Sequence, residues 1–235
     1  MSGEEPKAAI FDMDGVLIDS YRAHFESWRR VAAENGRDYT ETQFAAGFGR
    51  TSREVIAEQW QGEPLSDERI AEIDRRKEAL FREIISRDFP AMEGAVELIE
   101  SLVHAGFRVA VGSSGPAENV QLSIEQLGVG RLLSATVTGD DVKRGKPDPQ
   151  VFLIAAERMR VPPARCVVVE DAPVGVEAAR RGGMHVIALA STGRTVEQLR
   201  AADLVVNSLR ELSPKRFEDV LRGAGATKGK KEPAG

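Results

Sequence analysis

The later part of the chain alternates short strand patterns with helical patterns, and this alternation is the feature that most constrains the fold. From residue 90 onward the β-branched runs are FRVAVGS (107–113), SATVT (134–138), CVVVE (166–170), HVIALA (185–190) and DLVVN (203–207). Segments with apolar residues at helical spacing lie between them, and most end at glycine. This order predicts a mostly parallel sheet with helices on both faces, to which residues 8–12 add one further strand.

Residues 20–89 interrupt the alternation. They contain helical patterns, such as SYRAHFESWRRVAAENG and SDERIAEIDRRKEALFREIIS, but no convincing strand. Ser66 precedes the second pattern and is a good N-cap residue. We therefore predict a helical cap domain at 20–89, inserted into an α/β core formed by 1–19 and 90–222. The tail at 223–235 is poor in apolar residues and is predicted to be disordered.

Composition and charge narrow the functional classes. Lys and Arg total 32 against 37 Asp and Glu, a formal net charge of −5, so the clustered positive charge of a nucleic-acid-binding protein is not expected. No segment has the apolar length of a membrane span, and MSGEEPK is too acidic and polar for a secretory signal. We therefore expect a cytoplasmic protein. The single cysteine, Cys166, excludes an internal disulfide, and its apolar neighbours predict a buried strand residue.

Polar side chains follow several of the predicted strands. Asp12 ends the first strand, Ser113 the second, and Glu170 and Asp171 the fourth, while Lys146 lies in the proline-rich loop after the third. Ligands of open parallel sheets bind outside the carboxyl ends of the strands. We therefore expect these side chains to converge on one site.

The residue types in this set fit phosphoryl transfer. A carboxylate such as Asp12 can attack phosphorus and form an aspartyl-phosphate, provided that positive charge screens the repulsion between the two anions. Mg²⁺ takes oxygen ligands and commonly lies between carboxylates and a substrate phosphate. The expected ligands are the side chains of Asp12 and Asp171, the backbone carbonyl of Asp14, and Glu170 directly or through water.

Three further groups complete this hypothesis. Lys146 neutralises the nucleophile and the phosphoryl oxygens, and the Ser113 hydroxyl donates a hydrogen bond to the same oxygens. Asp14 is followed by Gly15, which lets the chain turn and aim this carboxylate at the leaving group as a general acid and base. Taken alone, DMDG also suits an acidic turn, whereas the longer pattern of a calcium-binding loop is absent.

Four segments resemble, in order, the motifs of the haloacid dehalogenase superfamily. They are FDMDGVLIDS, VGSSG, GKPDP and VVVEDAPVGVEAA, and together they span nearly the whole chain. The helical insert after the first motif resembles the branch that contains β-phosphoglucomutase and many small-metabolite phosphatases. The resemblance implies a Rossmann-like core, a requirement for Mg²⁺, Asp12 as nucleophile and Asp14 as acid and base. Because dehalogenases of the family lack the second aspartate, Asp14 favours phosphate-ester chemistry.

The cap supplies candidate substrate contacts. Lys77 interrupts an apolar stripe formed by Ile70, Ile73, Leu80, Phe81 and Ile84. Two roles are open for it: holding a substrate anion in the cleft, or extending its ammonium group to solvent. His24, Arg50 and Lys77 resemble cap positions that β-phosphoglucomutase uses, and positions of relatives that are only phosphatases. Arg50 suits a substrate oxyanion or a solvated loop, and Trp28 is expected in the cap core.

One departure from the mutase pattern bears on the choice of reaction. After its motif-two serine, the mutase has a Ser-Lys-Asn run that holds a second phosphate, whereas this chain reads SSGPAEN without lysine. Ser114 and Asn119 are the candidate substrate contacts in this segment. We therefore favour a phosphatase acting on a small phosphorylated metabolite, such as a sugar or polyol phosphate, with a sugar-phosphate mutase as the alternative.

Two hypotheses from other classes fit less well. A receiver-like signalling domain also combines carboxylates, Mg²⁺ and a lysine, but its phosphoaccepting aspartate would end the third strand, and the cap would have no purpose. A catalytically inactive binding protein would share the fold, yet every chemical group is retained here. The sequence leaves the physiological substrate and the oligomeric state open.

Overall fold

A computed structural model describes residues 5–47, 52–60, 65–191 and 193–223. The chain divides into two compact units, one formed by Met1–Ile18 with Ala91–Gly235 and the other by Asp19–Pro90. None of the helices among the described residues combines the length and the apolar character needed to cross a membrane. The predicted tail at 223–235 lies outside the described residues except for Gly223.

The first unit is built on a six-stranded parallel sheet within the described residues. Its strand order is β3-β2-β1-β4-β5-β6, and every neighbouring pair runs parallel. The bounds are β1 Lys7–Phe11, β2 Phe107–Gly112, β3 Ala135–Val137, β4 Cys166–Glu170, β5 His185–Leu189 and β6 Leu204–Val206. Each corresponds to a strand expected from the sequence, and the predicted α/β class with a Rossmann-like core is confirmed.

Helices cover both faces of this sheet. They are α5 Ala95–His104, α6 Ala117–Leu127, α7 Gln150–Met159, α8 Pro173–Arg181 and α9 Pro214–Leu221. On one face, residues of α7 and α8 pack with strand residues such as Ile10 and Val168 in a continuous apolar cluster. On the other face, Phe217 of α9 contacts the rings of Phe11 and Phe107. All five residues of β4 are buried, as expected of a strand in a parallel sheet covered on both sides.

The second unit consists of helices in the part of it that is described. They are α1 Tyr21–Glu34, α2 Glu41–Gly47, α3 Ser52–Gln59 and α4 Asp67–Arg87. The Ser66 hydroxyl accepts a hydrogen bond from the Arg69 amide, which confirms the predicted N-cap of α4. Trp28 is 5% exposed and stacks on Tyr39 in the apolar core of this unit, also as predicted.

The apolar stripe of α4 differs from the prediction at its end. Ile85 is fully buried, whereas Ile84 is partly exposed. Helical spacing allows either position one turn after Phe81, and the neighbouring packing decides between them. Lys77 remains on the stripe and is buried with the apolar residues.

Candidate active site

The sheet brings the predicted strand-end residues to its carboxyl edge. Asp12 follows β1 and its amide donates to the carbonyl of Val169 in β4, at 3.0 Å. Ser113 follows β2 and its amide donates to Val137 of β3, also at 3.0 Å. Glu170 is the last residue of β4. Because strand order reverses between β1 and β4, this edge opens into the crevice where ligands of doubly wound sheets bind.

Lys146 joins two of the carboxylates. Its Nζ donates hydrogen bonds to Oδ1 of Asp12 at 2.8 Å and to Oε1 of Glu170 at 2.5 Å. The side chains are 8%, 10% and 1% exposed respectively. Charge-assisted hydrogen bonds in such a buried place are short and strong. Lys146 therefore connects the loop after β3 to the ends of β1 and β4.

The loop that carries Lys146 is fixed by hydrogen bonds of its own. Oε1 of Gln150 accepts from the backbone amides of Lys143 and Arg144, at 2.8 and 3.1 Å. Asp148 accepts from the Gln150 amide through Oδ1 and pairs with the Arg144 guanidinium through Oδ2. The chain on both sides of Lys146 is therefore held at the start of α7.

Three buried carboxylates form a cluster with the chemistry of a metal site. Oxygens of Asp12, Glu170 and Asp171 all lie within 4.8 Å of one another. Burial raises the pKa of Asp12 to about 7, opposed by Lys146 and assisted by the negative charge of Glu170. Burial, followed by the charges of Glu170 and Asp12, raises the pKa of Asp171 well above its usual range. When all three carboxylates are ionised, they carry more negative charge than the Lys146 ammonium balances, and such a site suits a cation.

The pKa of Lys146 is raised, as expected of a positive charge that lies beside carboxylates. Burial by itself would lower its pKa, but the adjacent carboxylates of Asp12 and Glu170 outweigh burial and raise it. The ammonium group is therefore charged wherever the cluster is ionised.

Two glycines allow the cluster to pack this closely. Gly15 has φ +75°, and a β-carbon there would lie 2.6 Å from Cγ of Asp171. A β-carbon at Gly175, in α8, would lie 2.6 Å from Oε2 of Glu170 and closer still to Cδ. Real β-carbons do not approach other atoms this closely. Glycine at both positions therefore leaves the space that the Asp171 and Glu170 carboxylates fill.

Asp14 and Ser113 meet at Gly115. A β-carbon at Gly115 would lie 3.3 Å from the Ser113 hydroxyl and 3.7 Å from Oδ2 of Asp14. The Ser113 hydroxyl accepts from the Gly115 amide at 3.0 Å. The negative charge of Asp14 also contributes to the raised pKa of Asp12. Both side chains therefore lie at the same edge of the sheet as Asp12.

Comparison with known proteins identifies the family. A family model described as haloacid dehalogenase-like hydrolase matches residues 6–183, a span that includes every residue of the cluster. The chain belongs to the haloacid dehalogenase-like hydrolases.

Two curated relatives and one solved structure show how this hydrolase compares with characterised proteins. Validoxylamine A 7′-phosphate phosphatase of Streptomyces hygroscopicus subsp. limoneus is 34% identical, over 88% of this chain and 95% of its own. Phosphorylated carbohydrates phosphatase of Thermotoga maritima is 33% identical, over 76% and 82%. The crystal structure of β-phosphoglucomutase from Clostridium difficile has a TM-score of 0.82, covers 92% and 97%, and is 22% identical. This last likeness shows a shared fold.

The remaining predicted residues of the hydrolase have different surroundings. Ser114 is exposed, and Asn119 is 5% exposed in the first turn of α6. In the second unit, the Lys77 ammonium donates to Oε1 of Glu78 at 2.8 Å and lies 3.0 Å from Nδ1 of His24. The Lys77 side chain is 5% exposed, so the structure does not fit the second of the two roles left open for it, extension of its ammonium to solvent. Arg50 lies outside the described residues.

Sequence reasoning missed the loop after β5 of the hydrolase. The Ser191 hydroxyl donates to the backbone carbonyl of Gly15 at 2.7 Å. Arg194 lies close enough to Asp171 for its positive charge to lower the pKa of that carboxyl, against the stronger effects that raise it. A signal was present, since both residues follow a predicted strand at the edge where the other site residues end.

Proposed function

We propose that this protein is a Mg²⁺-dependent phosphatase that hydrolyses a small phosphorylated metabolite, a sugar or polyol phosphate, through an aspartyl-phosphate at Asp12. The observation that carries the proposal is the buried cluster in which the Lys146 ammonium joins Asp12 to Glu170 and an oxygen of Asp171 lies within 4.8 Å. A nucleophilic carboxylate, a fixed cation and spare anionic ligands are what phosphoryl transfer to an aspartate requires.

The chemistry of the cluster fits a magnesium ion. The candidate ligands are carboxylate oxygens of Asp12, Glu170 and Asp171, with the backbone carbonyl of Asp14 as a further one, and hard cations prefer such oxygens. The raised pKa values of Asp12 and Asp171 reflect buried negative charge that a divalent cation would balance. When bound, the ion would screen the repulsion between Asp12 and the substrate phosphate and polarise the phosphoryl oxygens.

The covalent steps use Asp12 and Asp14. In the first step an oxygen of Asp12 attacks phosphorus, the bond from phosphorus to the ester oxygen breaks, and protonated Asp14 gives its proton to that oxygen. In the second step water attacks the phosphorus of the aspartyl-phosphate and ionised Asp14 takes a proton from the water. The bond from phosphorus to Asp12 breaks, which releases inorganic phosphate and regenerates both carboxyl groups.

Lys146 and Ser113 stabilise the charge that moves during these steps. The Lys146 ammonium already donates to Asp12, so its charge lies beside the attacking carboxylate throughout. The Ser113 hydroxyl lies near Gly115 and Asp14, where it can donate to a phosphoryl oxygen. Fixed donors of this kind favour the transition state because they need no reorganisation during the reaction.

The remaining predicted residues are proposed to contact the part of the substrate beyond its phosphate group. Ser114, exposed beside the Ser113 loop, and Asn119 of α6 would contact it from the α/β unit. His24, Lys77 and Arg50 are the other proposed substrate contacts, and the 3.0 Å contact between Lys77 and His24 supports treating Lys77 and His24 as one pair. The names of the two curated relatives refer to validoxylamine A 7′-phosphate and to phosphorylated carbohydrates, and the second name supports a sugar or polyol phosphate.

The alternative function is a sugar-phosphate mutase, which needs a second anion site. At the start of α6, Oδ2 of Asp140 accepts the Ala117 amide at 3.0 Å, and Glu118 adds a carboxylate in the same turn. A helix N-terminus attracts anions through its free amides, but here a carboxylate of the protein already uses one of them. This arrangement, with the lack of a lysine after Ser113, favours hydrolysis over mutase chemistry.

The test is Mg²⁺-dependent release of inorganic phosphate across a panel of sugar and polyol phosphates. We expect turnover by the wild-type protein, a loss of at least about 10³-fold in Asp12→Asn, and no loss in the control Asp38→Asn, which alters an exposed carboxylate. Turnover by Asp12→Asn near the wild-type rate would remove Asp12 from the nucleophile role.

A second arm separates the phosphatase from the mutase. The assay supplies β-glucose 1-phosphate with a trace of glucose 1,6-bisphosphate and measures inorganic phosphate and glucose 6-phosphate in the same reaction. We expect phosphate to form faster than glucose 6-phosphate. Rapid, stoichiometric formation of glucose 6-phosphate with negligible phosphate release would establish the mutase instead.

A further inference from the structure

The turn after Asp12 is bound by Ser191, which lies 176 positions after Gly15 in the sequence. Gly15 donates from its amide to the carbonyl of Ile18 at 2.8 Å, and the amides of Leu17 and Ile18 donate to the carbonyl of Met13. These bonds tie the Met13–Ile18 turn internally and leave the Gly15 carbonyl to another partner. That partner is the hydroxyl of Ser191, at 2.7 Å.

Two contacts therefore hold Gly15 in place. Its α-carbon lies against the Asp171 carboxylate, which leaves no room for a side chain, and its carbonyl is bound by Ser191. Gly15 adopts φ +75°, and glycine can adopt many other backbone conformations at little cost. A glycine peptide without an external partner would sample those alternatives, and the neighbouring Asp14 carboxylate would move with it.

We infer that Ser191 is a positioning residue for Asp14: by holding the Gly15 carbonyl, it fixes the turn that aims the general acid at the leaving group. The inference rests on the proposed function, because it concerns the proton that Asp14 delivers. In this role Ser191 acts on Asp14 through the backbone of Gly15. The effect of Ser191 should therefore be large for a leaving group that needs a proton from Asp14 and small for one that departs without a proton.

Comparing substrates with different leaving groups isolates the contribution of this proton. The ratio kcat/KM reports the reaction up to formation of the aspartyl-phosphate. A nitrophenolate leaves without protonation, whereas an alkoxide needs the proton of Asp14. Misplacing a catalytic group by about 1 Å can cost about 10²-fold, so we expect a partial misplacement in Ser191→Ala to lower kcat/KM for an alkyl phosphate about tenfold. The value for p-nitrophenyl phosphate should change less than about twofold.

Two variants serve as controls. Ser191→Thr retains the hydroxyl and should restore the alkyl-phosphate value to within about threefold of wild type. Ser101→Ala removes a similar hydrogen bond, from a serine hydroxyl to the carbonyl of Leu98, within α5, and should affect neither substrate. Equal losses on both substrates in Ser191→Ala would indicate a smaller folded fraction and overturn the inference, as would unchanged values on both.

Native-state hydrogen exchange gives a readout that does not depend on activity. Loss of one hydrogen bond should accelerate exchange of the Gly15 and Leu17 amides about fivefold in Ser191→Ala and leave them unchanged in Ser101→Ala. Unchanged exchange in this turn would contradict the inference whatever the kinetics. By contrast, a wild-type protein that releases no phosphate from either substrate, with exchange altered as expected, would place the failure in the proposed function.

Discussion

A methyl group added at position 175 would collide with the carboxylate that partners Lys146. Gly175 is the third residue of α8, and its φ is not in the left-handed region, so the backbone itself accepts alanine. The collision is with Glu170, which is 1% exposed. One oxygen of Glu170 accepts from Lys146 at 2.5 Å and the other from the Ala172 amide at 2.7 Å. Glu170 can move aside only by giving up these bonds.

The magnitude follows from opposing effects on the free energy of unfolding. Helix propensity alone favours alanine over glycine by up to about 1 kcal/mol. Forcing a methyl group into occupied space costs about 1–3 kcal/mol, and each hydrogen bond that a charged group loses costs about 1.5–3 kcal/mol. The collision outweighs the propensity, so we expect Gly175→Ala to destabilise the α/β unit by about 3 kcal/mol. For a unit of this size, that lowers the melting temperature by roughly 6–12 °C.

Urea denaturation followed by circular dichroism measures the effect. Gly130→Ala is the matched control, since the atom nearest to its new β-carbon would be Cγ2 of Ile124 at an ordinary 3.4 Å, and it should stay within about 0.5 kcal/mol of wild type. Glu170→Asp shortens the colliding side chain and should recover about 1–2 kcal/mol in the double variant relative to the sum of the single changes. A Gly175→Ala protein as stable as wild type, or strict additivity with Glu170→Asp, would refute the predicted collision.

Three further outcomes are expected of the site and the core. Lys146→Met should lower kcat for phosphate release by about 10²–10³-fold, because it removes the charge beside Asp12; a loss below about threefold would contradict this role. Chelation of divalent cations should abolish turnover and added Mg²⁺ restore it, with the half-saturating Mg²⁺ concentration raised at least about tenfold in Asp171→Asn; an unchanged Mg²⁺ dependence would exclude Asp171 as a ligand. Burial raises the pKa of the Cys166 thiol to about 12, so a thiol reagent at pH 8 should label Cys166 at the rate of unfolding, and immediate labelling of the folded protein would contradict its burial.

The sequence was sufficient for the strands and for the residues at their ends. The strands are rich in β-branched or small residues, and the four central strands are mostly buried. Such runs between amphipathic segments are typical of a parallel sheet. Once the sheet is parallel, a polar residue directly after a strand has a known location, which is why Asp12, Ser113 and Glu170 could be expected together. Lys146 was predictable because its loop follows β3 and contains two prolines that stiffen it.

Contacts between distant segments were beyond the sequence. The hydrogen bond from Ser191 to Gly15 joins residues 176 positions apart. It depends on how two loops meet, which local sequence patterns do not predict. The close contact between Gly175 and Glu170 could not be predicted either, because the sequence does not show which side chain lies against a glycine in a helix. For Lys77, periodicity identified a misplaced charge but not its partners, since His24 lies 53 positions away on another helix.

Charge balance connects the cluster to the proposed reaction. Asp12, Asp14, Glu170 and Asp171 are four carboxylates, whereas Lys146 and Arg194 supply two positive charges to their surroundings. A phosphate dianion brought to this site in its ionised form would meet net repulsion in a medium that screens charge poorly. A divalent cation held by the same carboxylates would remove that repulsion. The coupling would be reciprocal, so the phosphate would tighten cation binding by the same factor by which the cation tightens phosphate binding. The surplus of buried carboxylate, which costs stability in the protein alone, is thus the feature that would make substrate binding depend on the metal.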